Sequence, residues 1–153
     1  MWTSNLRQFE VAKIFRSKEQ EQFFDILEKH IADPDEPLLL EGATGLGKTY
    51  PYLRAAAKSG KRVAIVFPTH QLIDQALDSW DLQTVLAEFS VQVKDFRPRR
   101  FFEDSARHYN LQKDEAIASD ILLCTSISVI IDQRLAGAYN GVTTRDVIIF
   151  DEA

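Results

Sequence analysis

The sequence lacks the features that mark disulfide-bonded, secreted and membrane-spanning proteins. Its 153 residues contain one cysteine, Cys124, which excludes a disulfide framework and cannot make a metal site alone. No run of 18 apolar residues occurs, and the first five residues do not open a signal peptide. The expected compartment is therefore the cytoplasm, and no membrane partner is expected.

The chain also has no strong charge of either sign. Its formal net charge is -5, so overall charge does not indicate a nucleic-acid binder and any such surface must be local. Apolar residues make up 45% and charged residues 27% of the chain, which is ordinary for a soluble globular protein. The length fits about one domain, without repeats or low-complexity segments.

Half of the six glycines fall in one short segment, which follows an apolar run at residues 38–40. The segment reads Gly-x-x-x-x-Gly-Lys-Thr, and its residues are Gly42, Ala43, Thr44, Gly45, Leu46, Gly47, Lys48 and Thr49. This is the spacing of the phosphate-binding loop of P-loop NTPases. The glycines let backbone amides point inward, and the helix that follows adds the positive end of its dipole. The pattern predicts a nucleoside triphosphate site; the alternative is a glycine-rich strand-to-helix turn that matches by chance.

Two side chains of this loop and two acids at the end of the chain predict hydrolysis. Lys48 is expected to bind the β and γ phosphates, and the Thr49 hydroxyl is expected to bind Mg²⁺. The apolar residues 147–150 run directly into Asp151 and Glu152. Asp151 is expected to hold the Mg²⁺ shell, and Glu152 to orient and deprotonate the attacking water. Acids often end strands, so the pair is informative only together with the loop.

Buried strands alternate with helices along the chain. Strands are predicted at residues 38–40, 62–67, 121–124 and 147–150, with an edge strand at 91–93. Helices are predicted from Ser17, from Gly47 to Gly60, along a face from Leu72 to Trp80, over residues 85–89, and at 126–135. Residues 94–109 are predicted to be irregular. This order predicts an α/β domain with a mainly parallel sheet, whose ligands gather at the carboxyl ends of the strands.

The motifs resemble those of the first motor domain of superfamily 2 helicases, and most closely those of the DinG/XPD branch. Residues 41–49 are close to its E-A-G-T-G-T-G-K-[ST] loop, and residues 147–153 match its hydrophobic-D-E-A-H motif up to the histidine. Residues 67–72 and 120–126 resemble, more loosely, its DNA-facing segments. The resemblance implies a RecA-like P-loop NTPase fold. It also implies ATP-dependent, 5′-to-3′ translocation on single-stranded or partly duplex DNA.

The resemblance also implies further site residues, each with a simpler alternative. Gln20 would read the adenine, with Gln22 a weaker candidate, because residues 18–20 look like the family's R-P-E-Q element. The alternative is a capping box between Ser17 and Gln20. Four residues would contact the DNA backbone or, alternatively, cap helices or begin them. These are Thr69, His70, Thr125 and Ser126.

One departure from the branch concerns an insert at about residues 90–118. Relatives often carry four cysteines there that bind an iron–sulfur cluster, and a chain with Cys124 alone is expected to have no cluster. In its place Arg97, Arg99 and Arg100 alternate with phenylalanines, a pattern that can bind phosphates and stack bases. The alternative is a solvated basic loop. A cluster-less DinG-like chain resembles the CRISPR-associated DinG proteins of type IV systems, which implies a CRISPR ribonucleoprotein partner.

The expected motor domain is incomplete at Ala153, where the helicase motif would continue with a histidine. In such helicases a second motor domain supplies an arginine finger worth ~10³ to 10⁵ in rate, so negligible turnover is expected of these residues alone. Two other classes of function remain open. One is a different P-loop enzyme, such as a small kinase, and the other is a nucleotide-independent module that docks on a ribonucleoprotein complex.

Overall fold

The computed structural model describes residues 14–42, 45–102 and 105–151. The chain divides into two compact units, Met1–Ser59 and Gly60–Ala153. Among the described residues, no helix combines the length and the apolar character needed to cross a membrane.

In the described part of the first unit, the helices α1 (Lys18–Ala32) and α2 (Thr49–Ser59) pack against each other. Ser17 caps α1, because its Oγ accepts a hydrogen bond from the Gln20 amide at 3.1 Å. Pro51 is the third residue of α2, where a missing amide hydrogen removes no intrahelical bond, as predicted. Gly60 follows α2 with φ of +69°, which confirms the predicted C-terminal stop.

The strand predicted at residues 38–40 is not formed, and this prediction is wrong. Leu38 and Leu39 are 41% and 88% exposed. An apolar run becomes a strand only when its backbone pairs with a neighbour and its side chains are buried. The described strands are all in the second unit, where they pair with one another.

The second unit is a four-stranded, all-parallel sheet flanked by helices, which confirms the predicted α/β class. Its strands are β1 (Val63–Phe67), β2 (Val93–Asp95), β3 (Ile121–Thr125) and β4 (Val147–Phe150). Its α-helices are α3 (His70–Leu77), α4 (Trp80–Glu88), α5 (Ala106–Ala118) and α6 (Ser126–Arg134). Its described residues also form 3₁₀ turns at Arg99–Phe102 and Val142–Thr144.

The strand order is β2-β3-β1-β4, and the register aligns the carboxyl ends of the strands. Phe67 lies opposite Thr125, and Val66 lies opposite Phe150. The Asp151 amide extends the ladder by donating to the Val66 carbonyl at 2.9 Å. Residues that follow β1, β3 and β4 therefore share one edge of the sheet, as predicted for ligand-binding segments.

Both faces of the central strands are covered, since every residue of β1 and β3 is buried. One face carries a core of residues from the strands, the insert and the 3₁₀ turn before β4, namely Ala64, Val66, Phe96, Ala116, Leu122, Cys124 and Val142. Tyr109 of α5 and Val129 of α6 pack against it. Continuous apolar strands are typical of such a doubly covered parallel sheet.

The apolar pattern predicted the bounds of the elements poorly between residues 78 and 118. The helix predicted up to Trp80 ends at Leu77, because Ser79 caps a second helix by accepting from the Leu82 amide at 3.2 Å. Trp80 opens that helix and is 81% exposed. The edge strand β2 begins at Val93, and the segment predicted to be irregular contains the end of β2, a 3₁₀ turn and the first four residues of α5.

Candidate nucleotide and nucleic-acid sites

The phosphate loop has the backbone that its glycines predict. Gly45 and Gly47 adopt left-handed φ angles of +84° and +74°, which residues with a Cβ rarely adopt. A Cβ on Gly42 would lie 2.6 Å from Leu46 Cδ2 and 3.2 Å from Lys48 Cε. The Leu46 side chain thus packs against Gly42 too closely for a Cβ to fit without a shift, and the Lys48 side chain also runs close to the Gly42 backbone. Ala43 and Thr44 lie outside the described residues.

Gln20 ties α1 to the phosphate loop. Its Nε2 donates to the Gly47 carbonyl at 2.9 Å and to the Leu46 carbonyl at 3.3 Å. Its Oε1 accepts from the Arg16 amide at 2.7 Å, and the residue is 1% exposed. Only half of the expected capping box forms, because Gln20 accepts from Arg16 instead of returning a bond to Ser17. Adenine recognition by Gln20 remains a prediction.

Arg16 is a site residue that sequence reasoning missed. A Cβ on Gly47 would overlap the Arg16 guanidinium and lie 2.9 Å from Gln20 Nε2. The Arg16 cation therefore lies against the loop, beside the amides that would face a phosphate. Nothing in the helical periodicity singles it out, since it precedes α1, and its only sequence signal was its closeness to Gln20.

The predicted metal ligands are oxygen donors, which suit Mg²⁺. Thr49 opens α2, and the half-buried Asp151 follows β4. The described part of the chain contains no group of three or more His, Cys, Asp or Glu residues that could hold a metal by themselves. A P-loop site does not need one, because phosphate oxygens and water complete the shell around one hydroxyl and one carboxylate. Glu152, the predicted base, lies outside the described residues.

The predicted DNA-facing residues gather at the carboxyl edge of the sheet. Thr69 caps α3, because its Oγ1 accepts from the Leu72 amide at 3.3 Å, and it is still exposed. Thr125 is 6% exposed, and its hydroxyl lies 3.4 Å from Ser128 Oγ. Thr125 makes no side-chain cap bond to α6, so that alternative does not hold for it. Ser126 is exposed at the first position of α6.

The basic–aromatic insert meets the same edge. Arg97 donates to Asp95 at 2.7 Å and also to Asp74, so its charge is balanced within the fold. Arg99 and Arg100 are exposed on the first 3₁₀ turn. Burial lowers the pKa of His70, and the Arg97 and Arg100 cations lower it further. His70 is therefore neutral at physiological pH and offers this edge a ring instead of a charge.

Cys124 lies in the middle of the covered sheet. It is 0% exposed, and burial raises the pKa of its thiol to about 12. A thiol in this state is neither a nucleophile nor a metal ligand at neutral pH. Its role in the described structure is to fill the core.

A parallel α/β sheet and a glycine-rich phosphate loop define the class, which is that of a RecA-like P-loop domain. The family model described as "Type III restriction enzyme, res subunit" matches residues 13–153. The chain therefore belongs to that family.

One curated relative carries a functional name. ATP-dependent DNA helicase YoaA of Escherichia coli (strain K12) is 37% identical to this chain over 71 residues. The alignment covers 46% of this chain and 11% of the relative, so the chain spans a small part of that protein's length. Together with the motifs, the family and the relative support a relationship to superfamily 2 helicases.

Proposed function

We propose that the full-length protein is an ATP-dependent DNA helicase and that residues 1–153 belong to its first motor domain. The observation that carries the proposal is the phosphate loop, in which Gly45 and Gly47 are left-handed and the Lys48 side chain crosses Gly42. This geometry supports the binding of a triphosphate by the loop. The family match and the helicase relative support the proposal that the hydrolysis of this triphosphate drives work on nucleic acid.

Each residue of the proposed ATP site has one task. Lys48 binds the β and γ phosphates, and the amides from Gly45 to Thr49 orient them. Gln20 and the loop carbonyls it binds hold the loop in this shape. Glu152 takes the proton of the attacking water. Thr49 and Asp151 would hold Mg²⁺, which when bound neutralises charge that develops on the phosphate oxygens.

The DNA strand is proposed to follow the carboxyl edge of the sheet. Thr69, Ser126 and Arg100 are exposed there, and each offers a hydrogen-bond donor for a phosphate. Arg97 has a supporting part in this arrangement, because Asp74 and Asp95 already engage its guanidinium. Thr125 is also less suited to direct contact than the sequence predicted, because it is buried.

The finer assignment is to the DinG/XPD branch, with 5′-to-3′ polarity. Its support is the loop sequence at residues 41–49 and the run from Val147 into Asp151. A single cysteine, buried in β3, supports a member without an iron–sulfur cluster. A CRISPR ribonucleoprotein partner of the type IV kind is part of the same proposal and rests on that missing cysteine set.

The proposal is tested by phosphate release from ATP by the full-length protein, with and without single-stranded DNA. We expect Mg²⁺-dependent hydrolysis that DNA stimulates, and its loss in Glu152→Gln with ATP binding retained. Glu21→Gln, the same substitution at an acid on α1, serves as the matched control. Hydrolysis that DNA does not stimulate would favour another P-loop enzyme. Failure of the wild type to bind ATP would favour a nucleotide-independent module.

A further inference from the structure

Phe101 is an exposed aromatic ring at the carboxyl edge of the sheet. It is 47% exposed on the 3₁₀ turn Arg99–Phe102. The His70 ring lies beneath it, with centroids 4.7 Å apart and planes at 60°. The guanidinium carbons of Arg100 and Arg97 lie 5.3 Å and 5.7 Å from its centroid. The ring is thus held between cations and a neutral imidazole, with part of its surface left to solvent.

The support of this ring is firmly anchored in the fold. Phe96, five residues earlier, is 0% exposed and packs edge-on against Tyr139 at 4.8 Å. Phe102, the next residue, packs edge-on against Tyr109 of α5 at 5.9 Å. Such aromatic pairs add to the stability of the segment beyond simple burial. Other aromatic side chains therefore hold the segment that carries the exposed ring.

The backbone of the segment is held as well. Gln112 of α5 accepts from the Arg97 amide and donates to the Arg97 carbonyl, both at 3.1 Å. The Arg97 side chain is fixed from the other side by Asp74 and Asp95. Little conformational freedom remains for the turn to lose when a ligand binds, and such preorganisation favours affinity.

Arg100 supplies a charge beside the ring. It is exposed, and within the described ranges no carboxylate forms an ion pair with it. Arg99 adds a second exposed cation on the same turn. An aromatic face with flanking cations matches a nucleotide, which has a flat base and an anionic phosphate, better than it matches an apolar protein surface.

We propose that Phe101 is a stacking platform for one base of single-stranded DNA, with Arg100 binding the adjacent phosphate. The proposal rests on the proposed function and adds a specific contact to it. Stacking needs no hydrogen-bond code, so the platform accepts any base. It would hold the strand at the edge where Thr69 and Ser126 face solvent, and Arg97 would position the ring without touching DNA.

The test compares two fluorescein-labelled oligonucleotides of equal length and charge, one of thymidines and one with abasic sugars in its centre. Fluorescence anisotropy gives their dissociation constants with the full-length protein. The wild type should prefer the thymidine strand by about 5- to 100-fold, the range for one stacked base. Phe101→Leu should abolish that preference, and Phe101→Tyr should retain it.

The matched control is Trp80→Leu, which removes another exposed aromatic ring, on α4, and should leave the preference unchanged. A thermal melt of each variant shows whether it is folded. If Phe101→Leu does not fold, the preference retained by Phe101→Tyr serves as the test instead. Equal binding of both strands by the wild type, or an unchanged preference in folded Phe101→Leu, would overturn the platform while DNA binding stands. Binding of neither strand would overturn the proposed function itself.

Discussion

The side-chain amide of Gln20 makes hydrogen bonds to three backbone groups. Its donors bind the Leu46 and Gly47 carbonyls, and its oxygen accepts from the Arg16 amide. Both amide hydrogens of the side chain are thus engaged in holding the loop. A glutamine in this state is expected to support the loop for any nucleoside triphosphate, whichever base it carries.

Replacing Gln20 with Ala should therefore weaken ATP and GTP to the same degree. The partly buried Leu46 and Gly47 carbonyls lose their donor, which costs about 1–3 kcal/mol, so affinity should fall about tenfold for both nucleotides. Titration with fluorescent ATP and GTP analogues measures it, with the exposed Gln22→Ala as control. A loss confined to ATP would instead show that Gln20 reads the adenine.

Asp132 organises the loop before β4 from inside the protein. Its Oδ1 accepts from the amides of Tyr139, Asn140 and Gly141 at 2.9–3.0 Å. Its Oδ2 accepts from the Thr143 amide and hydroxyl at 2.9 Å and 2.7 Å. Burial alone would raise the pKa of Asp132, but these hydrogen bonds, those from Thr143 first, hold it below its ordinary value.

Asp132→Asn should destabilise the fold by about 2–4 kcal/mol, because an amide NH₂ would face backbone donors. Urea unfolding measures the change, and the exposed Asp114→Asn on α5 is the control. A change as small as that of the control would mean that the loop does not depend on this carboxylate.

The same carboxylate predicts a pH dependence. Its pKa is lower in the folded than in the unfolded state, so its contribution is complete above the ordinary carboxyl pKa of about 4. That contribution is lost as the pH falls through the folded-state value. Below about pH 4 the difference in unfolding free energy between wild type and Asp132→Asn should shrink. A difference that stays constant in this range would contradict the assignment.

At the scale of elements, α5 is held at its end by an arginine from another segment. The Arg145 guanidinium donates to the carbonyls of Ala116, Ile117, Ser119 and Asp120, at 2.6–3.2 Å. Burial lowers the pKa of Arg145 to about 10, so it is still a cation at neutral pH. A cation at a helix C-terminus also interacts favourably with the helix dipole.

Arg145→Met keeps the apolar stem and removes these donors. We expect a loss of about 2–3 kcal/mol in the free energy of unfolding, because buried carbonyls become unsatisfied. Amide exchange should accelerate most in the last turn of α5. Arg107→Met, on the exposed first turn of α5, is the control. Unchanged exchange at Ala116 to Ala118 would show that the helix end is held by other contacts.

These contacts explain which elements the sequence could predict. Strands such as β1 and β3 are buried on both faces, so their apolar runs were unambiguous. Helix α5 has a single fully buried residue, Ala116, and is stabilised by Gln112 and Arg145, contacts that no local pattern contains. The strand predicted at residues 38–40 was wrong for the opposite reason, because an apolar run alone supplies no partner strand to pair with.

The candidate sites follow the same rule. The glycines, Lys48 and Thr49 were predictable, since the motif prescribes their backbone. Arg16 was missed, because only the folded chain places it against Gly47. The compensation of Arg97 by Asp74 was missed for the same reason, since the two are 23 residues apart in the sequence.

At the scale of the whole molecule, the proposed DNA binding requires a local basic surface, because the chain has a net charge of -5. The exposed Arg99 and Arg100 are the proposed source of such a surface. The phosphate loop in the first unit is the proposed nucleotide site. Coupling of the two activities is what distinguishes a helicase from an ATP-binding protein or a DNA-binding protein.

The most direct test of this coupling is strand separation of a fluorescently labelled forked duplex by the full-length protein. With ATP and Mg²⁺ the wild type should release the labelled strand, and Lys48→Ala should release none, because the phosphates lose their cation. Lys58→Ala, on the exposed end of α2, should behave as the wild type. Unwinding retained by Lys48→Ala, or absent from the wild type on forks of either tail polarity, would contradict the account.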